Sequence, residues 1–307
     1  MSHYKAPPTT VEEQIALLES RGMLIKDHHV ATQFLKQVSY YRFAGYALPF
    51  EKHFPRKRTH RYKPSTSFEM VTQLYEFDRD LRGILLRAIE RIEITFRSQI
   101  CFHAANITKD SHWTTDMRQF DSRFDFARYI EKIQIEVDRS SEPFIEYYQE
   151  TYDTPEIPAS WMLIEILGFG TWSRVYKSLR SDDIRRRVAD YFSISSHLLE
   201  SWIEAITILR NICAHHGRTW NRASLTLPKM TNRMKRLYPE SSISRSRIII
   251  LLDVIHELLQ PIAESQSAFT NEISELLLNY PSIPRHPMGM NRTVPNSTTN
   301  IRDLIIS

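Results

Sequence analysis

Glycine is scarce in this chain of 307 residues, with 7 copies, and cysteine is scarcer still, with 2. A Rossmann fold, a P-loop and a β-rich barrel all place glycines at tight turns, so the shortage argues against each of them. Cys101 and Cys213 form no CxxC pair and are too few to staple a fold of this size. They are expected as small buried apolar groups in a reducing cytoplasm. Long apolar runs are missing too: the longest, residues 248–252, is broken by Asp253. No transmembrane span is therefore expected, and the first ten residues lack the apolar centre of a signal peptide. What remains is a globular composition, 42% hydrophobic and 25% charged with a mean hydropathy of −0.39, enough for one large domain or two ordinary ones.

Forty basic residues stand against 36 acidic ones, a net charge of +4, so the distribution of charge matters more than its total. Residues 52–63 (KHFPRKRTHRYK) carry six Lys or Arg, two His and no acid. Residues 229–247 carry six Lys or Arg against Glu240 alone. Each stretch reads either as a solvated loop or as a surface that displaces counterions from a phosphate backbone. In the first, Phe54 and Tyr62 interleave the charges, in position to stack on bases.

The periodicity is helical nearly throughout, and the fold class expected is all-α. Thr10-x-x-Glu13 and Thr66-x-x-Glu69 read as capping boxes, Asp27 and Ser181 as N-caps, and Pro143 as the first turn of a helix. The longest pattern runs from residue 68 to about 103, with Gly83 as a candidate bend. A helix is expected over 196–217, closed by Gly217. The division expected is an N-terminal helical extension and basic loop over 1–64, a helical domain over 65–260, and a C-terminal helix and tail over 261–307.

On a helical wheel, Leu198, Trp202, Ala205, Ile206, Leu209, Ile212 and Cys213 fall within an arc of about 120°, the expected core face. Arg210, Asn211, Ala214 and His215 fall outside it, with Thr207 and Ala214 as a low ridge between Arg210 and His215. His216 falls at the centre of the core face, so the wheel turns the adjacent histidines apart. Imidazole moves protons near neutral pH, and a guanidinium holds a phosphate by two hydrogen bonds. RNA supplies its own nucleophile in the 2′-hydroxyl, so neither a metal nor a cofactor is expected. Arg210 and His215 stand about 140° apart around the axis, however, which points to two copies pooling their groups across a two-fold axis. Spacing alone decides nothing, since Arg97 and His103 form a similar pair.

The residues around the pair are more specific. LRNICAHHGRTWNR (209–222) resembles the signature of the Abi family, the abortive-infection proteins of the AbiD/AbiF type. SYYRFAGYALPF (39–50), FDRDLRGILLRAIERIEITFRSQI (77–100) and GFGTWSRVYKSL (168–179) resemble further segments of that family, in the same order. The family belongs to the HEPN superfamily, whose helical domains carry an Arg-Asn-x-x-x-His element and often act as metal-independent endoribonucleases, working as dimers. Type VI CRISPR effector nucleases resemble the same group. The resemblance places the element at Arg210, Asn211 and His215, the positions that the wheel also singles out. It implies a HEPN-like bundle with Arg210 and His215 catalytic, Asn211 and His216 supporting them, and a homodimer acting on RNA in anti-phage defence. Lys52, Arg56, Lys57, Arg58, Arg61, Lys63, Arg218 and Arg222 are the candidate RNA contacts. Two other classes remain open: a non-catalytic module that sequesters a structured non-coding RNA, as the AbiF-like association with such an RNA implies, and an interaction component of a toxin–antitoxin pair. Glu90 and Glu93 are both candidate counter-ions for Arg210, and Trp220 is expected to be buried.

Overall fold

The computed structural model describes residues 7–55, 59–223, 226–238 and 246–290. Among these, helices dominate and strands are absent; three isolated bridges, such as that between Glu51 and Tyr62, are the only extended pairings. Two compact units divide the described residues. One takes those up to Asp80 together with Leu278–Ile283, and the other takes Leu81–Leu277 and the residues from Pro284. The boundary between these units lies inside a continuous helix, α4.

The first unit holds α1 (Val11–Ser20), α2 (His28–Val38), α3 (Tyr40–Ala47) and the start of α4 (Phe68–Thr108). The capping box of α1 forms as its sequence requires, with Thr10 Oγ1 accepting from the Glu13 N–H and Glu13 Oε2 from the Thr10 N–H. Asp27 caps α2 through the Val30 N–H. The cap of α4 differs from expectation by one residue. Thr66 gives its carbonyl to the Leu24 N–H, and the Ser67 hydroxyl accepts from the Met70 N–H in its place. The core is aromatic: Phe43 stacks on Phe68 at 4.5 Å, and Phe34 meets both edge-on. Tyr46 donates a 2.7 Å hydrogen bond to the buried Asp78 carboxylate, satisfying a charge that burial would otherwise penalise.

The second unit contains the rest of α4, unbroken at Gly83, then α5 (Phe126–Arg139), α6 (Pro143–Thr151), α7 (Ser160–Ile166), α8 (Phe169–Ser178) and α9 (Asp182–Tyr191). It continues with α10 (Ser196–Ala214), α11 (Asn232–Leu237), α12 (Ile248–Leu259) and α13 (Ser265–Asn279). Ile89, Ile92, Phe96 and Ile100 of α4 are fully buried, and Phe96 meets Phe169 and Tyr176 of α8 edge-on. α10 packs against α8, α9 and α12. Both cysteines are buried free thiols. Among the described residues, no helix is long and apolar enough to cross a membrane.

Candidate active site at the end of α10

Ser195 caps α10 through the Leu198 N–H, and Trp202, Ala205, Ile206, Leu209 and Cys213 are buried along it. The buried arc is wider than the wheel drew it. Leu199, Ile203 and Thr207 are buried as well, while Leu198 and Ile212 are only half-buried. The Thr207 hydroxyl donates to the Ile203 carbonyl, and its methyl faces Gly170 of α8, where an added Cβ would lie 3.6 Å away. Thr207 is thus part of the α8–α10 packing and not an open ridge. Residues 199, 203, 207, 210 and 214 follow one another at helical spacing. Arg210 accordingly continues a packed row at the point where that row reaches solvent.

That row carries Arg210 to α4. Its Nε lies 3.8 Å from Glu93 Oε2, and its Nη1 donates to Asn211 Oδ1 at 3.4 Å. Glu90 is exposed and makes no ion pair with Arg210, which resolves the two candidate counter-ions in favour of Glu93. Glu93 is shared, since Arg97, one turn along α4, donates to its other oxygen. Arg97 also donates to the Ile164 carbonyl of α7 at 3.1 Å, while its own Nε is buried without a partner. Burial holds the Arg97 guanidinium below its ordinary range; the Glu165 carboxylate opposes this shift and the Arg210 charge adds to it. One carboxylate therefore contacts two cations, with Glu165 acting on Arg97 from α7, and Arg210 is the cation of the group that reaches solvent. Sequence reasoning did not assign Arg97 to this cluster. Its signal was the Glu93-x-x-x-Arg97 spacing, which marks a helical ion pair but not its neighbours.

The end of α10 departs from expectation. The helix stops at Ala214 with His215 as its C-cap, and His216 adopts a left-handed φ of 56°. The His216 N–H bonds the Cys213 carbonyl and the Gly217 N–H bonds the Ile212 carbonyl, the two bonds of a Schellman turn. The left-handed position usually goes to glycine, yet here histidine holds it and glycine follows. Gly217 is favoured for a different reason: a Cβ there would crowd Ile212 Cγ2 at 3.0 Å and the Ile212 oxygen at 3.1 Å. The reversal turns His216 out of the core face, so that His215 and His216 are both exposed. The wheel failed for His216 because it extrapolated a helix that had already ended.

The remaining candidates divide. Trp220 is buried, as expected, and donates to the Pro284 carbonyl at 3.0 Å. Arg218 and Arg222 are half-buried, and Asn221 receives Arg247, so this segment also ties down the helix end. In the first unit, Lys52, Arg61 and Lys63 are exposed, and Lys63 Nζ donates to the Pro49 carbonyl. Arg56, Lys57 and Arg58 lie outside the described residues. Tyr62 is buried, with its N–H bonded to the Arg21 carbonyl, which removes it as a base-stacking ring. Within the second basic stretch, Arg233 is spent on Asp253 and Glu257. No group of three or more potential metal donors occurs among the described residues.

Neither the curated proteins nor the solved structures compared with the chain provide a match. A family model described as Abi-like protein matches residues 33–221. That span is more than half of the chain and includes Glu93, Arg97, Arg210, Asn211 and His215. On that match the chain belongs to the Abi-like protein family, which links it at the family level to abortive infection, a defence against phage.

Proposed function

We propose that the chain is a metal-independent endoribonuclease of anti-phage defence, with Arg210 and His215 as its catalytic residues and a homodimer as its active form. The observation that carries this reading is the aim of Arg210. A shared, buried carboxylate holds one side of the guanidinium while the other remains open to solvent, five residues before an exposed histidine. A phosphodiester held by Arg210 gains two charge-assisted hydrogen bonds and stabilisation of the charge that builds in the transition state. The ribose 2′-oxygen attacks phosphorus, the bond to the 5′-oxygen breaks, and the products are a 2′,3′-cyclic phosphate and a 5′-hydroxyl. One His215 takes the 2′-hydroxyl proton, and His215 of the partner subunit protonates the leaving 5′-oxygen. Pairing two helix ends supplies both histidines and brings together Arg210 and His215, which a single helix holds about 140° apart. Since Thr207 is buried by α8, the pairing face in this reading comprises Arg210, Asn211, Ala214 and His215 alone. The test is cleavage of single-stranded RNA with and without EDTA, together with sedimentation at assay concentrations. Cleavage should survive chelation, leave cyclic phosphate ends and disappear in Arg210→Ala and in His215→Ala. A chelator-sensitive activity that persists in both variants would falsify the assignment, and a strictly monomeric active species would remove the pooled site.

A further inference from the structure

Between α5 and α8, within the second unit, lies an open cleft of about 660 Å³ lined by five cations and two acids. Some of that charge is already spent. Arg123 is bound to Asp121 at 3.0 Å and Lys177 to Glu204 of α10 at 3.2 Å. Arg128, Lys132 and Arg174 make no salt bridge among the described residues, and the remaining acid on the rim, Asp125, accepts from the Arg128 N–H as the cap of α5. Lys132 is the most confined of the three. It is half-buried and donates to the buried Thr171 hydroxyl at 2.7 Å. Burial holds its ammonium below the ordinary lysine range, and the charge of Arg174 pushes in the same direction, with Glu136 opposing. Two cations drawn together in a partly dry cleft repel one another unless an anion sits between them.

Two further features narrow the class of anion. Tyr129 forms part of the wall, is 6% exposed, and its buried hydroxyl has no hydrogen-bond partner. Being buried, that hydroxyl lies behind the open cleft, so Tyr129 belongs to the aromatic wall and not to the phosphate contacts. Phe124, half-exposed on the same wall, is backed by Phe120 stacked at 4.8 Å, which presents a firm aromatic face. A phosphate beside an aromatic platform, in a volume inside the usual range of roughly 300–1,000 Å³ for small-molecule sites, matches one nucleotide.

We infer that the α5–α8 cleft binds a nucleotide, its phosphate held by Arg128, Lys132 and Arg174 and its base against Phe124. The site is separate from Arg210 and His215, and its occupancy does not depend on RNA cleavage. The experiment is equilibrium binding to the full chain of three probes: inorganic phosphate, adenosine monophosphate, and a single-stranded DNA 12-mer, which lacks the 2′-hydroxyl and so cannot be cut by this chemistry. Binding of adenosine monophosphate, displaced by phosphate, identifies a free-nucleotide site. Binding of the 12-mer alone identifies a site for a nucleotide unit within a strand. In either case the exposed-residue variant Arg128→Gln/Arg174→Gln should bind at least tenfold more weakly, with the salt dependence reduced by about one phosphate contact per arginine. Lys132→Met should show a similar loss, checked against an unchanged far-ultraviolet spectrum. Failure of all three probes to bind at millimolar concentration, or an affinity that Arg128→Gln/Arg174→Gln leaves unchanged, overturns the inference.

Discussion

Two arginines touch the Glu93 carboxylate, and substituting them one at a time should separate architecture from chemistry. The side chains of Arg97 and Glu93 are 14% and 10% exposed, so their pair is largely dry. Breaking such a pair from one side leaves a charge buried without its counterpart, at a cost of about 3–5 kcal/mol. In a unit of this size each kcal/mol moves the midpoint of thermal unfolding by about 2–4 °C, so Arg97→Ala or Glu93→Ala should lower it by roughly 6–20 °C. Arg210 is 42% exposed and 3.8 Å from the same carboxylate. At that separation the attraction is about 1 kcal/mol in a water-like dielectric, and exposed pairs contribute less than about 1 kcal/mol net. Arg210→Ala should therefore melt within about 4 °C of the unsubstituted protein while losing RNA cleavage. Replacing the buried pair with apolar groups, Glu93→Leu/Arg97→Met, should recover most of the stability. It should still cleave poorly, because nothing then aims Arg210. Thermal unfolding followed by circular dichroism, paired with a fluorescent-RNA cleavage assay, reads both quantities. If Arg210→Ala destabilises the protein as much as Arg97→Ala, Arg210 is a structural cation and its catalytic role is lost. If Glu93→Leu/Arg97→Met cleaves at full rate, Glu93 does not position it.

The turn that ends α10 predicts two opposite stability changes. Gly217→Ala should cost about 1–3 kcal/mol, because the new methyl meets the Ile212 carbonyl, which the helix holds in place. His216→Gly should be neutral or stabilising by up to about 1 kcal/mol, since it releases a side chain from left-handed backbone. Chemical denaturation checks both, and the reverse order would show that the turn is not a Schellman turn. A third expectation concerns acid. Burial, together with the charge of Arg187, holds His103 below its ordinary value of 6.5, with Asp183 and Asp190 opposing. The unfolded chain then binds this proton more readily than the folded one, so the stability is present above pH 6.5 and is lost as pH falls through the lower folded value. Denaturation midpoints measured between pH 7 and 5 should fall less steeply in His103→Gln, and an unchanged slope would dismiss His103 as a contributor.

Local chemistry was legible in the chain itself. The Thr10–Glu13 box, the Asp27 and Ser181 caps and the entry of Pro143 follow from interactions spanning three or four residues, which sequence spacing encodes directly. The buried row from Trp202 to Cys213 was legible in the same way, from its period. Ser39 was not. It sits at φ 66° between α2 and α3, a break that no glycine or proline announces. Nor was His216, whose exposure depends on where backbone hydrogen bonding stops. The choice of Glu93 over Glu90, the part played by Arg97 and the burial of Thr207 lay further still from the sequence. Each depends on which face of α4 or α8 lands against α10, across gaps of 37 to 117 residues. A sequence determines the stripes its helices carry through short-range periodicity; which stripes meet is decided by packing the whole core at once, and only the tertiary structure records that outcome.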